Sequence, residues 1–268
     1  MYKLSRRQFL LTCTAGTLAL GAIESVYSQK IQVTRNQLHL SGWEANGFKV
    51  AFLSDFHICG PKQFAVGEKA FRLALKEKPD IIAIGGDLVD SSIEGDLSYL
   101  KKSLKMLSET DTPVFAVTGN HEYAIHAPPK AFELFRKSRV RLLQNEQIDF
   151  QGVSLIGIDD PLSGNDCYEF LQKSKLSPSS LSLMHEPDFV ERLPKPVKLQ
   201  ISGHSHGGQV CFPFGLPILK RPGALKYTAG YYPLASCPLY VSRGVGTTGI
   251  DFRFFCPREV TTLTLYGS

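Results

Sequence analysis

The chain has 268 residues and a formal charge of +5, but Lys3, Arg6, Arg7 and Lys30 against Glu24 place +3 on residues 1–30 and leave only +2 for the rest. That near balance gives no support to a nucleic-acid partner, and none is expected. The 238 or so residues beyond the leading segment suit one large domain that buries its own core, so residues 31–268 are read as a single domain.

Residues 1–30 divide into a basic start, an apolar run from Phe9 to Ile23 and a small, polar stretch ending near Gln29, the layout of an export signal. The run is about 15 residues, short of the ~20 that cross a bilayer, which favours a cleaved signal over a permanent anchor. Val26-Tyr27-Ser28 and Ala19-Leu20-Gly21 both offer cleavage sites. Ser5-Arg6-Arg7-Gln8-Phe9-Leu10 resembles the twin-arginine export motif, through the Ser, Phe and Leu around the paired arginines. That implies the twin-arginine translocase as a partner and a location in the periplasm or on the outer face of the cytoplasmic membrane. An ordinary secretory signal, or an apolar terminus resting on the inner leaflet, is the alternative. Export of a folded chain suits an enzyme that acquires metal in the cytoplasm, because metal binding and folding are coupled. Cys13 lies in this segment; Cys59, Cys167, Cys211, Cys237 and Cys256 lack zinc-knuckle spacing and are read mostly as buried small hydrophobes, with room for one or two disulfides.

Along the chain, short apolar runs recur and each ends in polar residues. Phe48–Leu53 leads to Ser54-Asp55, Ile81–Ile84 to Gly85-Gly86-Asp87 and Val114–Val117 to Thr118-Gly119-Asn120. Val153–Ile158 then leads to Asp159-Asp160, Leu181–Met184 to His185 and Val197–Ile201 to Ser202-Gly203-His204. Such runs read as buried strands. Helical periodicity over roughly 65–77, 96–109 and 129–138 alternates with the early ones, which implies an α/β sheet with parallel neighbours. From about residue 209 strands and turns dominate. Because ligands collect beyond the carboxyl ends of strands in open α/β sheets, all of these polar clusters are expected at one site.

Asp55-Phe56-His57 puts a carboxylate and an imidazole on one side of an extended chain, although such a triplet alone reads as readily as a turn. Gly85-Gly86-Asp87 is either a tight turn or a carboxylate brought up to a metal by bare backbone, able to bridge two ions. In Gly119-Asn120-His121-Glu122 the amide oxygen suits a metal and the imidazole a leaving oxygen; an Asx turn is the plainer reading. His185 earns attention by position. Gly203-His204-Ser205-His206-Gly207-Gly208 is the strongest single signal, two imidazoles at i and i+2 between glycines at a strand end. Five of the seven histidines fall in these clusters, leaving His39 and His126 outside, which decides against accident.

Taken in this order, Asp-x-His, Gly-Gly-Asp, Gly-Asn-His-Glu, a lone His and Gly-His-x-His resemble the calcineurin-like metallophosphoesterases over roughly residues 48–212, and Tyr240 to Pro257 resembles their exported bacterial phosphodiesterase branch. The resemblance implies a four-layer α-β-β-α sandwich of two mixed β-sheets flanked by helices. It also implies two divalent ions, one held by Asp55, His57 and His206, the other by Asn120, His185 and His204, with Asp87 bridging both. His121 would sit beside the leaving group and Glu122 would orient it. Two cations ~3.5–4 Å apart lower the pKa of a bridging water, orient the phosphorus and neutralise charge on in-line attack, so no nucleophilic side chain is required. The donor set suits Mn, Fe, Co or Zn without selecting among them. Cys59, near the site, has no role in the family pattern and is read as packing.

Phe212-Pro213-Phe214-Gly215-Leu216-Pro217-Ile218-Leu219, followed by Lys220-Arg221, reads first as a loop packed on the sheet and second as an apolar lip with a basic edge, shaped for a lipid-bearing phosphate or a membrane surface. The function expected is a metal-dependent phosphodiesterase acting on an envelope or lipid-linked phosphoester. A UDP-diacylglucosamine pyrophosphatase of lipid A synthesis and a non-catalytic metal-binding scaffold are the alternatives.

Overall fold

The computed structural model describes residues 24, 26–93, 95–126 and 128–268. The twin-arginine-like motif, the apolar run that follows it and Cys13 lie outside the described residues.

Two six-stranded sheets face each other. One contains β1 (Ile31–Leu40), β2 (Phe48–Leu53), β3 (Ile81–Gly85), β4 (Val114–Val117), β5 (Arg141–Leu142) and β14 (Arg258–Gly267), in the order β1-β14-β2-β3-β4-β5. The other contains β6 (Glu146–Phe150), β7 (Val153–Gly157), β8 (Ser179–Leu183), β9 (Leu199–Ser202), β12 (Gly230–Tyr232) and β13 (Leu239–Val241), in the order β12-β13-β9-β8-β7-β6. Both are mixed. β14 runs parallel to β1 but antiparallel to β2, and β6 and β12 are antiparallel edges on a parallel centre. β10 (Cys211–Phe212) and β11 (Leu216–Pro217) make a separate hairpin.

Strand alternation builds the layers. Val50, Phe52, Ile81 and Ala83 point between the sheets, where they meet Leu155, Leu181, Leu183 and Ile201. Their neighbours Ala51, Leu53, Ile82 and Ile84 point outward against helices α1 (Pro61–Lys76), α2 (Ser98–Ser108) and α4 (Pro128–Arg136), which follow α/β periodicity closely. In α1 the buried residues are Gly67, Ala70, Phe71 and Ala74, and in α2 Leu100, Ser103, Leu104 and Leu107, each set at i, i+3, i+4 and i+7. Pro61 opens α1 where its missing N–H costs nothing. The expected four layers are present, with unequal outer ones. Among the described residues the far face of the second sheet carries α5 (Glu169–Lys173) and a 3₁₀ turn at Pro187–Arg192, whose Val190 packs with Ile156, Met184 and Val241.

Two expectations are corrected. Cys59 and Cys167 are exposed and only Cys211, Cys237 and Cys256 are buried, so Cys59 is not core packing. The Phe212–Leu219 segment is not packed on the sheet; its large apolar side chains are exposed. What positions the site is the common direction of β2, β3, β4, β8 and β9, whose carboxyl ends meet between the two sheets.

Candidate metal centre

The clusters that carry the proposed ligands each leave one of those strand ends: Asp55 and His57 after β2, Asp87 after β3, Asn120 and His121 in α3 (Asn120–Ala124) after β4, His185 after β8, and His204 and His206 after β9, whereas Asp159 and Asp160 follow β7, where Asp159 accepts from the hydroxyls of Thr118 and Tyr123. Five of these residues sit in left-handed backbone, Asp55 at φ 56°, His57 at 47°, Asp87 at 52°, His204 at 65° and His206 at 50°. A non-glycine residue in that region costs about 1–3 kcal/mol and persists only where its surroundings overdetermine it. Here the loops are stitched together: Asp55 N–H donates to Gly86 O at 3.1 Å and His57 N–H to Asp87 O at 3.0 Å. Gly86 has φ 88°, and a Cβ there would lie 2.7 Å from both His185 Nδ1 and Gly119 N, so bare backbone is what lets the loops close on the centre.

The side chains converge in two groups. Asp55, His57 and His206 form the first, buried throughout. His57 Nε2 and His206 Nε2 are 2.9 Å apart, and Asp55 Oδ1 is 3.5 Å from His206 Nε2. Asp55 is fixed by His204 N–H, which donates to both its oxygens at 2.9 and 3.1 Å, and by the Ser54 hydroxyl at 2.5 Å. Burial, then His57 and Arg253, hold the His206 imidazole well below its ordinary pKa, hence uncharged.

Asp87, His185 and His204 form the second group. His185 Nδ1–H donates to Gly85 O at 2.6 Å and His204 Nε2–H to Pro222 O at 2.8 Å, which turns His185 Nε2 and His204 Nδ1 inward. His204 is pushed down to about 4 by burial and by His185. Burial opposes the charge on His185, but Asp87, with Glu186 and Asp55, prevails and raises its pKa. Asp87 Oδ2 joins the groups, 3.2 Å from His185 Nε2 and 3.4 Å from His57 Nε2. Burial raises this carboxyl, yet His185, His57 and His121 together hold it well below the usual carboxylate range.

A divalent cation fits this arrangement. Among the described residues Asn120 Oδ1 is buried without a hydrogen-bond partner and His185 Nε2 faces only the Asp87 carboxylate at 3.2 Å, and a buried polar group left incomplete costs about 1–3 kcal/mol. Gly119 lies against His185 Nε2, which sets Asn120 beside the second group. Carboxylate, neutral imidazole and amide oxygen are the donors that first-row divalent metals take.

His121 stands at the rim, its ring edge-on to His57 at 4.5 Å. Ser91 N–H donates to His121 Nδ1 at 3.1 Å, so the ring proton is on Nε2, and burial lowers its pKa. Glu122 does something other than orient His121: among the described residues its carboxylate makes no hydrogen bond to that ring. It accepts from the backbone N–H groups of Gly119 at 2.8 Å, Asp87 at 2.9 Å, Leu88 at 2.7 Å and Val89 at 3.3 Å, binding the Asp87 loop to α3. Burial and Asp87 push this carboxyl up to about 7, against those donors.

Three participants were not expected. Asp90 Oδ2 is 3.1 Å from His57 Nδ1 and 3.5 Å from His121 Nδ1. Arg253, fully buried, donates to the carbonyls of Gly246 and Arg243 and puts Nη2 3.3 Å from His206 Nδ1. Glu186 is buried, with neither carboxyl oxygen partnered among the described residues, 4.0 Å from His204 Nδ1. Asp90, three residues past Asp87, and Glu186, next to His185, carried a signal by adjacency; Arg253 carried none.

Comparison with known proteins agrees with the geometry. The sequence model of the family described as calcineurin-like phosphoesterase matches residues 48–208. The chain is 31% identical, over 290 residues and 99% of each chain, to the uncharacterized metallophosphoesterase YkuE of Bacillus subtilis (strain 168). It is 32% identical over 234 residues to an uncharacterized metallophosphoesterase of Aquifex aeolicus (strain VF5), covering 82% of this chain and 85% of that one. It is also similar to Phosphodiesterase YaeI of Escherichia coli (strain K12), at 29% identity over 98% of this chain and 99% of that one.

Proposed function

Because the chain belongs to the calcineurin-like phosphoesterases and is a metal-dependent phosphoester hydrolase, we propose that it is a phosphodiesterase working with two divalent ions, Mn, Zn, Fe or Co, on an envelope phosphoester. The observation that carries the reading is the pair of three-residue groups sharing the Asp87 carboxylate, with Asn120 Oδ1 and His185 Nε2 left for a ligand.

In this reading Asp55, His57 and His206 hold one ion, Asn120, His185 and His204 the other, and Asp87 both. Two such cations supply Lewis acidity toward the phosphoryl oxygens and activation of water near neutral pH. Asp90 fixes the His57 imidazole of the first group, and the carbonyls of Gly85 and Pro222 fix those of the second. Glu122 holds Asp87 and Asn120 in register through four backbone N–H groups. His121, proton on Nε2, gives that proton to the departing oxygen as the ester bond breaks. No thiol or hydroxyl nucleophile is needed.

The diester preference is supported by the full-length similarity to a protein named phosphodiesterase. The envelope location is supported by Ser5–Leu10 and the apolar run behind it, which also name the twin-arginine translocase as partner. The test is hydrolysis of bis-p-nitrophenyl phosphate and p-nitrophenyl phosphate by the whole chain with Mn, beside Asn120→Ala. Diester cleavage faster than monoester cleavage and lost in Asn120→Ala is expected; absence of turnover with any divalent metal, despite bound ions, overturns the reading in favour of a scaffold.

A further inference from the structure

The β10–β11 hairpin spends free energy to expose apolar surface. Phe212 and Leu216 face each other across it at 58% and 61% exposure, and Phe214 at the tip is 100% exposed. Phe214 holds φ 69°, a left-handed conformation that a bulky side chain resists. Pro213 and Pro217 stiffen the hairpin, and Ile218 and Leu219 extend the apolar surface at 48% and 76% exposure. A soluble surface gains nothing from such an arrangement, since strain and apolar hydration both oppose it.

What lies around the hairpin points to its occupant. Between residues 209 and 257, Lys226 pairs with Glu191, Arg243 pairs with Glu259 and Arg253 is buried, while the single acidic residue, Asp251, pairs with Lys62, which leaves Lys220 and Arg221 as the cations beside the hairpin. Lys220 and Arg221 follow the apolar run directly, the order in which an interfacial segment meets anionic head groups. Glu24 docks at the same place. Glu24, next in sequence to the apolar stretch Phe9–Ile23, accepts the Phe255 N–H at 3.1 Å. Phe255 and Phe214 wall one cavity of about 430 Å³, and Val26 is 64% exposed. The point where the apolar stretch joins the fold therefore lies on the same side of the molecule as the hairpin.

We propose that this face seats on an anionic lipid bilayer, with the β10–β11 hairpin inserted among the acyl chains and Lys220 and Arg221 at the phosphates. The chain reaches the metal centre from both ends of the hairpin. His206 precedes Phe212 by six residues, and Pro222, whose carbonyl holds His204, follows Leu219 by three. Where the phosphodiesterase reading holds, the substrate class is a phosphodiester carried in the membrane plane; the seating itself does not depend on that reading.

The whole chain is tested as wild type, as Phe212→Ser/Phe214→Ser/Leu216→Ser and as Phe214→Trp, with phosphatidylglycerol-containing and pure phosphatidylcholine vesicles. Wild type is expected to sediment with the anionic vesicles, and the triple variant to lose tenfold or more in partitioning while keeping its turnover of a soluble diester. In the Phe214→Trp variant the fluorescence of the introduced indole should shift blue and be quenched by brominated acyl chains, against the background of Trp43, which is buried. Equal partitioning of the triple variant, an introduced indole that stays unquenched, or a dimer that the triple variant dissolves without any vesicle binding each overturns the seating. Absence of soluble-diester turnover in wild type, with the introduced indole quenched in the Phe214→Trp variant, supports the seating and overturns the hydrolase reading alone.

Discussion

The two groups of candidate ligands carry the same donors but hold their imidazoles differently. In the first, a side-chain carboxylate braces one ring, Asp90 at His57 Nδ1, and the guanidinium of Arg253, which has no acceptor to offer, stands 3.3 Å from His206 Nδ1. In the second, backbone carbonyls brace the rings, Gly85 O at His185 and Pro222 O at His204. A carboxylate raises the basicity of its imidazole and can be replaced by one mutation; a carbonyl is fixed by the fold. The first group is therefore the tunable one, and the second shares the stability of β3 and of the loop before Ala224.

That contrast can be broken by measurement. The largest effect is expected from Asp87→Ala, which serves both groups: metal content by mass spectrometry should fall at both, and turnover should drop by more than the ~10–100-fold typical of a supporting residue. Next, His121→Ala should cost about 10²–10⁴-fold for a diester with a phenoxide leaving group and far less for p-nitrophenoxide, which departs without a proton. Equal losses for both esters would remove His121 as the acid. Asp90→Asn should weaken one ion by about 10–100-fold and leave the other in place; uniform loss of both ions would erase the distinction between the groups. Gly86→Ala should lower stability by about 1–3 kcal/mol, read as a fall in Tm, since its φ of 88° and the backbone of Gly119 leave no room for a Cβ. The smallest effect concerns acid. Burial opposes ionisation of Asp90, but the hydrogen bonds from His57 and Ser92 prevail and hold its pKa below the ordinary 3.8. Its contribution to stability is thus complete above about pH 4 and lost as pH falls through the folded value, so Asp90→Asn should flatten the acid limb of Tm against pH.

The strands that carry the site were legible because each is a compact apolar run ending in glycine and polar residues, and α1, α2 and α4 because their apolar period is unbroken. β1 and β14 escaped the same reading. Arg258–Gly267 is threonine-rich, with Thr261 and Thr262 buried at the heart of a sheet, and Ile31–Leu40 alternates on a half-exposed edge, so neither presents a continuous apolar run. Histidine crowding marked the site, and the family resemblance supplied the seven proposed ligands. Arg253 was not, because a buried guanidinium satisfied by distant carbonyls leaves no local pattern, and the burial of Glu122 hid its duty to four backbone amides. Exposure of the β10–β11 hairpin could not be read from composition, which is equally that of a core segment.

The left-handed backbone at Asp55, His57, Asp87, His204 and His206 has an evolutionary corollary. A lineage that keeps the fold but abandons the chemistry is released from a conformation these side chains resist, and glycine at the same positions relaxes it. Drift in such a lineage should therefore run toward glycine at these five positions before it reaches the strands, with folding stability rising as activity is lost.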